Sequence, residues 1–375
     1  RSSSADEAQH TWARFEHRTV GKRLMSRGPS IRDGTPTIFR IWVFSFLAVI
    51  LTAFAEGIRA QEPPVISLSP PDAVSEETFT RISSIRELSD GSVLVADQAE
   101  NRVALIVWGS QERREIGRIG GGPGEYRHVG RVFPMASDST LFLDSYTHRW
   151  NFLDGAEIVD TQSEVHFLNR LFGNNISGVD KQGHILGVRG FVWDRGVPTR
   201  RANADSHFLL LAHRETNRVD TLARIRGGGG DGFVILRPQG TKPATIVGAN
   251  PLSAEDQAVS FPDGWIALVG VDPFRVRWRT PEGQWSEPEP LPFHSQELSK
   301  AEKCFAMERN YLARDPCDPS VLPGWPDIIP PFLTSVLPPP ALLAAPSGHL
   351  LIRRTPTRDS DRNRYDVVDR RAGLV

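Results

Sequence analysis

The chain has 375 residues, 39% of them hydrophobic and 24% charged, which excludes a wholly disordered chain and a polytopic membrane protein. Lys and Arg number 44 against 45 Asp and Glu, for a net charge of -1, so the chain-wide basic field of a general nucleic-acid binder is absent. Gly 32 and Pro 29 point to many turns and little long helix, and two cysteines cannot build a disulfide framework or an all-Cys zinc site.

Residues 1–24 are polar and show no period, and Met25 downstream of them would start a signal peptide of ordinary length. No fold is expected of them. Ile41 to Ala55 read IWVFSFLAVILTAFA, uncharged and mostly apolar, at about 15 residues short of the roughly 20 that a spanning helix needs. Arg27, Arg32 and Arg40 precede the run, and small residues follow at Ala53-Phe54-Ala55 and Ile58-Arg59-Ala60. This is the three-part pattern of a secretory signal. Cleavage is expected after Ala60, with Ala55 as the alternative, and an uncleaved N-terminal anchor is the other reading. Residues 1–60 are thus leader and signal. Residues 61–375 are the exported part, periplasmic or extracellular and not inserted in a membrane after cleavage.

Beyond Pro64 short apolar runs recur with turn residues between them. From Ile82, ISSIREL, the turn Ser89-Asp90-Gly91, SVLVAD, a polar loop, VALIVW and REIGRI predict four strands in about 35 residues. The pattern returns as VGRVFPM, LFLDS, WNFLD and EIVDT. A third unit holds ISGVD, ILGVRGF, HFLLLAH and RVDTLARI, with an insertion after Phe191. A fourth holds QAVSF, WIALVGV, FRVRWRT and QWSEP, and a fifth ALLAAP, LLIRRT and RYDVVD. A repeat of this length with four strands predicts a β-propeller, because one such sheet cannot bury both its faces and stacked blades do.

Ile116–Val132, IGRIGGGPGEYRHVGRV, resembles the connection between blades of NHL-type six-bladed propellers, and Val93–Ile106, VLVADQAENRVALI, resembles the second and third strands of an NHL blade. The match is specific over Ser83–Asp154 and degenerate beyond. The resemblance implies an exported bacterial all-β propeller, six-bladed, with four-stranded antiparallel blades. Gly120, Gly121, Gly122 and Gly124 would allow positive φ where the chain crosses between blades. Asp97 and Asp144, each ending a second strand, are expected to accept turn amides, with calcium ligation as the other reading.

The fifth unit stops at its third strand, so its fourth strand and a sixth blade are expected to be missing, the chain being a fragment. Val65-Ile66-Ser67-Leu68 is then expected to pair with the last blade. A true five-bladed protein is the alternative. Residues 294–330 read as an insertion, with a helix from Ser295 to about Ala313 that would put Leu298, Ala301, Phe305 and Leu312 on one face. Pro-rich chain follows to Pro340. In an oxidising compartment Cys304 and Cys317 could staple the insertion.

No Gly-x-Ser-x-Gly, Walker-type or His-Glu-x-x-His motif is present. RIGGGPGEYRH and ARIRGGGGDGF are Gly-rich but lack the strand-loop-helix context of a phosphate loop. His128, His148, His184 and His349 share no fixed blade position. In a meandering blade, the loop between second and third strands and the crossover to the next blade emerge at one end. That end collects Arg102, Glu125, Tyr126, Arg127, His128, Tyr146, His148, Arg149, Trp150, Trp193, Arg195, Phe274, Arg275, Arg353, Arg354 and Arg358. Arginine with aromatic side chains is the mixture enriched at recognition surfaces, and the guanidinium fork suits oxyanions. The expectation is an exported, non-enzymatic binding or scaffold protein, monomeric, with no cofactor. Its partner would be an envelope or extracellular protein or a small anionic ligand, and not nucleic acid. The alternative is a lyase or lactonase-type hydrolase with calcium or zinc on the axis.

Overall fold

Each sequence repeat folds as one four-stranded antiparallel meander. The structure, a computed structural model, describes residues 65–375 apart from 110–112, 145, 148, 163–175, 189–191, 195–196, 200–205, 228–232, 240–241, 249–250, 253–254, 312–316, 322–323, 334–339, 361–362 and 372. The signal segment and its cleavage site lie outside the described residues.

The first blade is β1 (Ile82–Glu87), β2 (Val93–Asp97), β3 (Arg102–Ile106) and β4 (Arg113–Glu115). A short parallel pair, β5 (Arg118–Ile119) with β6 (Glu125–Tyr126), closes the glycine-rich crossover. The second blade is β7 (Val129–Pro134), β8 (Ser139–Asp144), β9 (Arg149–Asp154) and β10 (Glu157–Gln162). The third is β11 (Ile176–Val179), β12 (His184–Val188), β15 (Ser206–His213) and β16 (Arg218–Arg226). A hairpin of β13 (Val192–Asp194) and β14 (Val197–Thr199) interrupts it, and a ribbon of β17 (Phe233–Gln239) and β18 (Lys242–Gly248) follows it. The fourth is β19 (Gln257–Ser260), β20 (Ile266–Val271), β21 (Phe274–Arg279) and β22 (Trp285–Ser286). After helix α1 (Lys300–Tyr311) comes the fifth: β23 (Leu342–Ala344), β24 (Leu350–Arg353), β25 (Tyr365–Asp369) and β26 (Gly373–Leu374).

The first strands neighbour one another in series, β1 to β7 to β11 to β19 to β23, and mark the inner side of the propeller. Within the second blade β7 passes so close to β8 at its register shift that a side chain is excluded at Gly130, where a Cβ would stand 2.5 Å from the Leu143 carbonyl oxygen. Middle strands are sandwiched between blades, so β3 is buried throughout, whereas β21 alternates buried Phe274, Val276 and Trp278 with half-exposed arginines. Four apolar cores join the five blades. Large side chains such as Phe142, Trp150 and Phe261 anchor them, each worth about 1.5–3 kcal/mol of burial. At the end of the blades opposite the crossovers, polar ties add to these cores. Arg370 donates to both oxygens of Asp263, at 2.5 and 3.1 Å, and lies over Phe261 and Trp265. Arg86 of the first blade donates to the Ser137 and Ser139 carbonyls and to Thr140 Oγ1 of the second.

Three expectations need correction. The fifth blade has a fourth strand: β26 pairs with Val368 and Asp369. Val65-Ile66-Ser67-Leu68 forms no strand and is exposed, the outer edge of β25 being filled by β26. The helix begins at Lys300, not Ser295, because Ser299 caps it, its Oγ accepting the Glu302 N–H at 3.2 Å. Leu298 precedes the helix, where its N–H meets the Asp327 carbonyl. The buried residues of the helix are Glu302, Ala306 and Met307, while Ala301 is exposed and Phe305 only half-buried; Leu312 lies outside the described residues. Glu302 can be buried because both its carboxylate oxygens accept the Arg358 N–H. A disulfide joins Cys304 to Cys317, with 5.9 Å between their Cα atoms. No helix among the described residues is long and apolar enough to cross a membrane.

The close approach of β7 and β8 at Gly130 gives a direct test. Gly130→Ala should lower stability by about 1–3 kcal/mol, the usual cost of overpacking. Gly121→Ala, whose new methyl would only touch the Arg127 side chain at 3.6 Å, should leave the urea midpoint in place.

Candidate functional site

The second strand of the second blade ends on Asp144, 0% exposed. A carboxylate shut away from water needs donors, and five reach it. Its Oδ2 accepts from the Arg127 N–H at 2.8 Å and the Thr147 hydroxyl at 2.5 Å. Its Oδ1 accepts from the N–H groups of His128 (3.2 Å), Tyr146 (3.0 Å) and Thr147 (3.1 Å). Burial on its own would raise the Asp144 pKa, but the Thr147 hydroxyl and these amides outweigh it and hold the carboxyl below its ordinary range.

One buried charge thus gathers the crossover, Arg127-His128, and the β8–β9 loop, Tyr146-Thr147, at one end of the blade. The backbone faces inward and the side chains turn out. Tyr146 is 67% exposed, Arg127 exposed and His128 half-buried. Arg149, first in β9, donates Nη1 to the Gly121 carbonyl at 2.6 Å and so pins the glycine loop beside them. That loop is closed on its own carboxylate: Glu125 accepts from the Gly122 N–H and from Arg118 Nε, both at 2.7 Å. The amide that a phosphate loop would offer is already taken.

The first blade repeats the device. Asp97, also fully buried, accepts from the N–H groups of Thr80 (2.7 Å), Arg81 (3.1 Å), Ala99 (2.9 Å) and Glu100 (3.1 Å). Asn101, at φ +56°, donates to the Arg127 carbonyl and accepts from the Val129 N–H, both at 2.7 Å. It stitches the first blade's loop to the segment leading into the second.

Other residues assigned to this end by sequence go elsewhere. Arg102 is buried in ion pairs with Glu77 (2.8 Å) and Glu100 (2.7 Å) and lies over Phe79. Tyr126 and Trp150 are core residues, Tyr126 edge-on to Phe142, its hydroxyl accepting the Val103 N–H. Arg275 stands 3.9 Å from Glu287. Arg354 pairs with Asp366 at 2.7 Å over Phe274, and burial raises the Asp366 pKa against that pairing. His148 and Arg195 lie outside the described residues, as does the side chain of Trp193, whose backbone is in β13. Of the residues assigned to this end, Arg127, His128, Tyr146 and Arg149 form one patch around Asp144. Among the described residues no three His, Cys, Asp or Glu side chains gather as a metal-ligand group. Sequence reasoning placed Arg353 on this end without distinguishing it; the signal was its position at the end of a second strand, where the first two blades have aspartate.

These sheets and clasps define an all-β propeller of four-stranded antiparallel blades, five of them among the described residues, with one short helix. No protein-family model matches the sequence, and no curated protein does. Solved structures show slight likeness. A Bacteroides fragilis protein described as exported is 11% identical at a TM-score of 0.30, over 61% of this chain and 75% of that one. A catalytically inactive virginiamycin B lyase from Staphylococcus aureus, with quinupristin, is 12% identical at 0.29, over 59% and 73%. The extracellular domain of a one-component system from Bacteroides thetaiotaomicron is 10% identical at 0.27, over 57% and 29%. Likenesses of this size carry no argument, and the class rests on the chain's own sheets.

A depressed carboxyl pKa makes stability pH-dependent in a known sense. The contributions of Asp97 and Asp144, both depressed, are complete above the unfolded value of about 3.9 and are lost as pH falls through the folded values. Denaturant midpoints should therefore hold from neutral pH to about 5 and fall below about 4. Asp144→Asn should cost about 2–3 kcal/mol at pH 7 and flatten part of the acid limb.

Proposed function

We propose that this chain is an exported, non-enzymatic binding propeller that recognises an envelope or extracellular protein, or an anionic group on one, through the patch held by Asp144. The observation that carries the reading is the pairing of exposed Tyr146 and exposed Arg127 on a backbone fixed by that buried carboxylate. An aromatic beside a guanidinium that has no ion partner among the described residues binds with little ordering cost. Export is supported by the basic residues, apolar run and small residues that precede Gln61. The protein acts as a monomer and needs no cofactor for this role.

A six-bladed ring of NHL type is part of the proposal. Four cores join five sheets, and Ile85 on the free face of the first blade is 65% exposed while Leu343 on the free face of the fifth is 36% exposed. A further blade would cover such faces.

The test is affinity capture from envelope extract, followed by titration of the captured partner. Arg127→Glu combined with Tyr146→Ala should weaken binding by about tenfold or more with the unfolding midpoint unchanged. Undiminished affinity in the double variant would sink the assignment of this patch.

A further inference from the structure

The second strand of the fifth blade ends not on aspartate but on Arg353. Only 6% of this residue is exposed. Among the described residues its guanidinium meets no carboxylate and no hydrogen-bond acceptor, and its Nε is shielded from water without a partner. Nearby carboxylates are engaged: Asp366 with Arg354 at 2.7 Å, Glu302 with the Arg358 N–H at 3.1 and 3.2 Å. Arg309, in the last turn of α1, acts electrostatically on Arg353. Tyr365, the cross-strand neighbour, brings a phenolic hydroxyl.

Arginine keeps its proton under all ordinary conditions. Burial lowers the pKa of Arg353 and Arg309 pushes it the same way, with Tyr365 opposing, yet neither neutralises a guanidinium. A buried, unpaired charge is among the most costly arrangements a protein can hold. Nε and the Nη on the same edge carry two parallel N–H groups, and Nε has no partner. That edge matches the two oxygens of a carboxylate.

We propose that Arg353 anchors a binding site for the carboxylate of a small ligand, where the fifth blade meets the helical insertion. The carboxylate would take the Nε–Nη edge in a bidentate pair, with the Tyr365 hydroxyl as a further donor. This site is independent of the Arg127–Tyr146 patch, and either can fail without the other.

The experiment is thermal unfolding of the full chain at constant ionic strength, titrated with acetate and benzoate in one arm and inorganic phosphate in the other. Wild type should show a saturable rise in Tm of several degrees with the carboxylates and a smaller one with phosphate. Arg353→Met should lose the carboxylate response and, in chloride alone, be no less stable than wild type, because the unpaired charge is gone. Should that variant not fold, Arg353→Lys, which keeps the charge and loses the fork, should bind acetate at least about tenfold more weakly. Arg127→Glu should leave the response intact. The proposal is overturned if wild type shows no saturable carboxylate response, if the Arg353 variants respond as wild type does, or if phosphate stabilises and carboxylates do not.

Discussion

A carboxylate sealed from water at the end of a blade's second strand must be met by several donors, and in the first two blades most of those donors are amides of the neighbouring loops. Asp97 and Asp144 each draw in four backbone N–H groups. Two of these come from the segment that enters the blade and two from the loop between its second and third strands. The path of the chain over this end of the first two blades is thereby set by one ion per blade. Apolar cores hold the sheets face to face, but they are non-directional. The clasps fix which way the loops point.

That division explains why exposed patch residues and core residues alternate so closely in sequence. Tyr126 and Arg127 are adjacent, yet one is buried against Phe142 and the other is exposed. Arg149 and Trp150 divide likewise. The fourth blade uses a variant in which Asp256, ahead of β19, accepts from the N–H groups of Arg226 and Val271. The fifth reverses the charge altogether with Arg353, and there the insertion packs down: Thr355 donates to the Pro330 carbonyl and Arg358 to Glu302. Where the repeated clasp is abandoned, the molecule has added a helix.

The strands were legible because their signal is local. SVLVAD and STLFLD carry the apolar run and the closing aspartate together, and the structure has strands ending on those residues. The ribbons β13–β14 and β17–β18 were not legible although Gly196 and Gly240 fall between their strands, because they stand outside the four-strand repeat by which the blades were read. The helix start was missed because Glu297 and Leu298 suit a helix, yet they pair across the insertion with residues 327 and 328. The patch was partly legible. Topology assigns residues to an end of the blade, but only strand parity separates Arg127 from Tyr126. Partners distant in sequence, such as Glu77 for Arg102 and Asp366 for Arg354, leave no local trace. Of Arg353, sequence shows the odd charge at a repeated position but not the missing partner.

The most direct measurement is amide hydrogen exchange on the mature protein, residue by residue, in wild type and Asp144→Asn. If the buried carboxylate organises the patch, the amides of Arg127, His128, Tyr146 and Thr147 are slow in wild type although their loops lie at the surface, and they become fast together in the variant. The amides that Asp97 holds in the first blade, those of Thr80, Arg81, Ala99 and Glu100, stay slow in both. Fast exchange at the four Asp144 amides in wild type, or no change on substitution, would contradict the account.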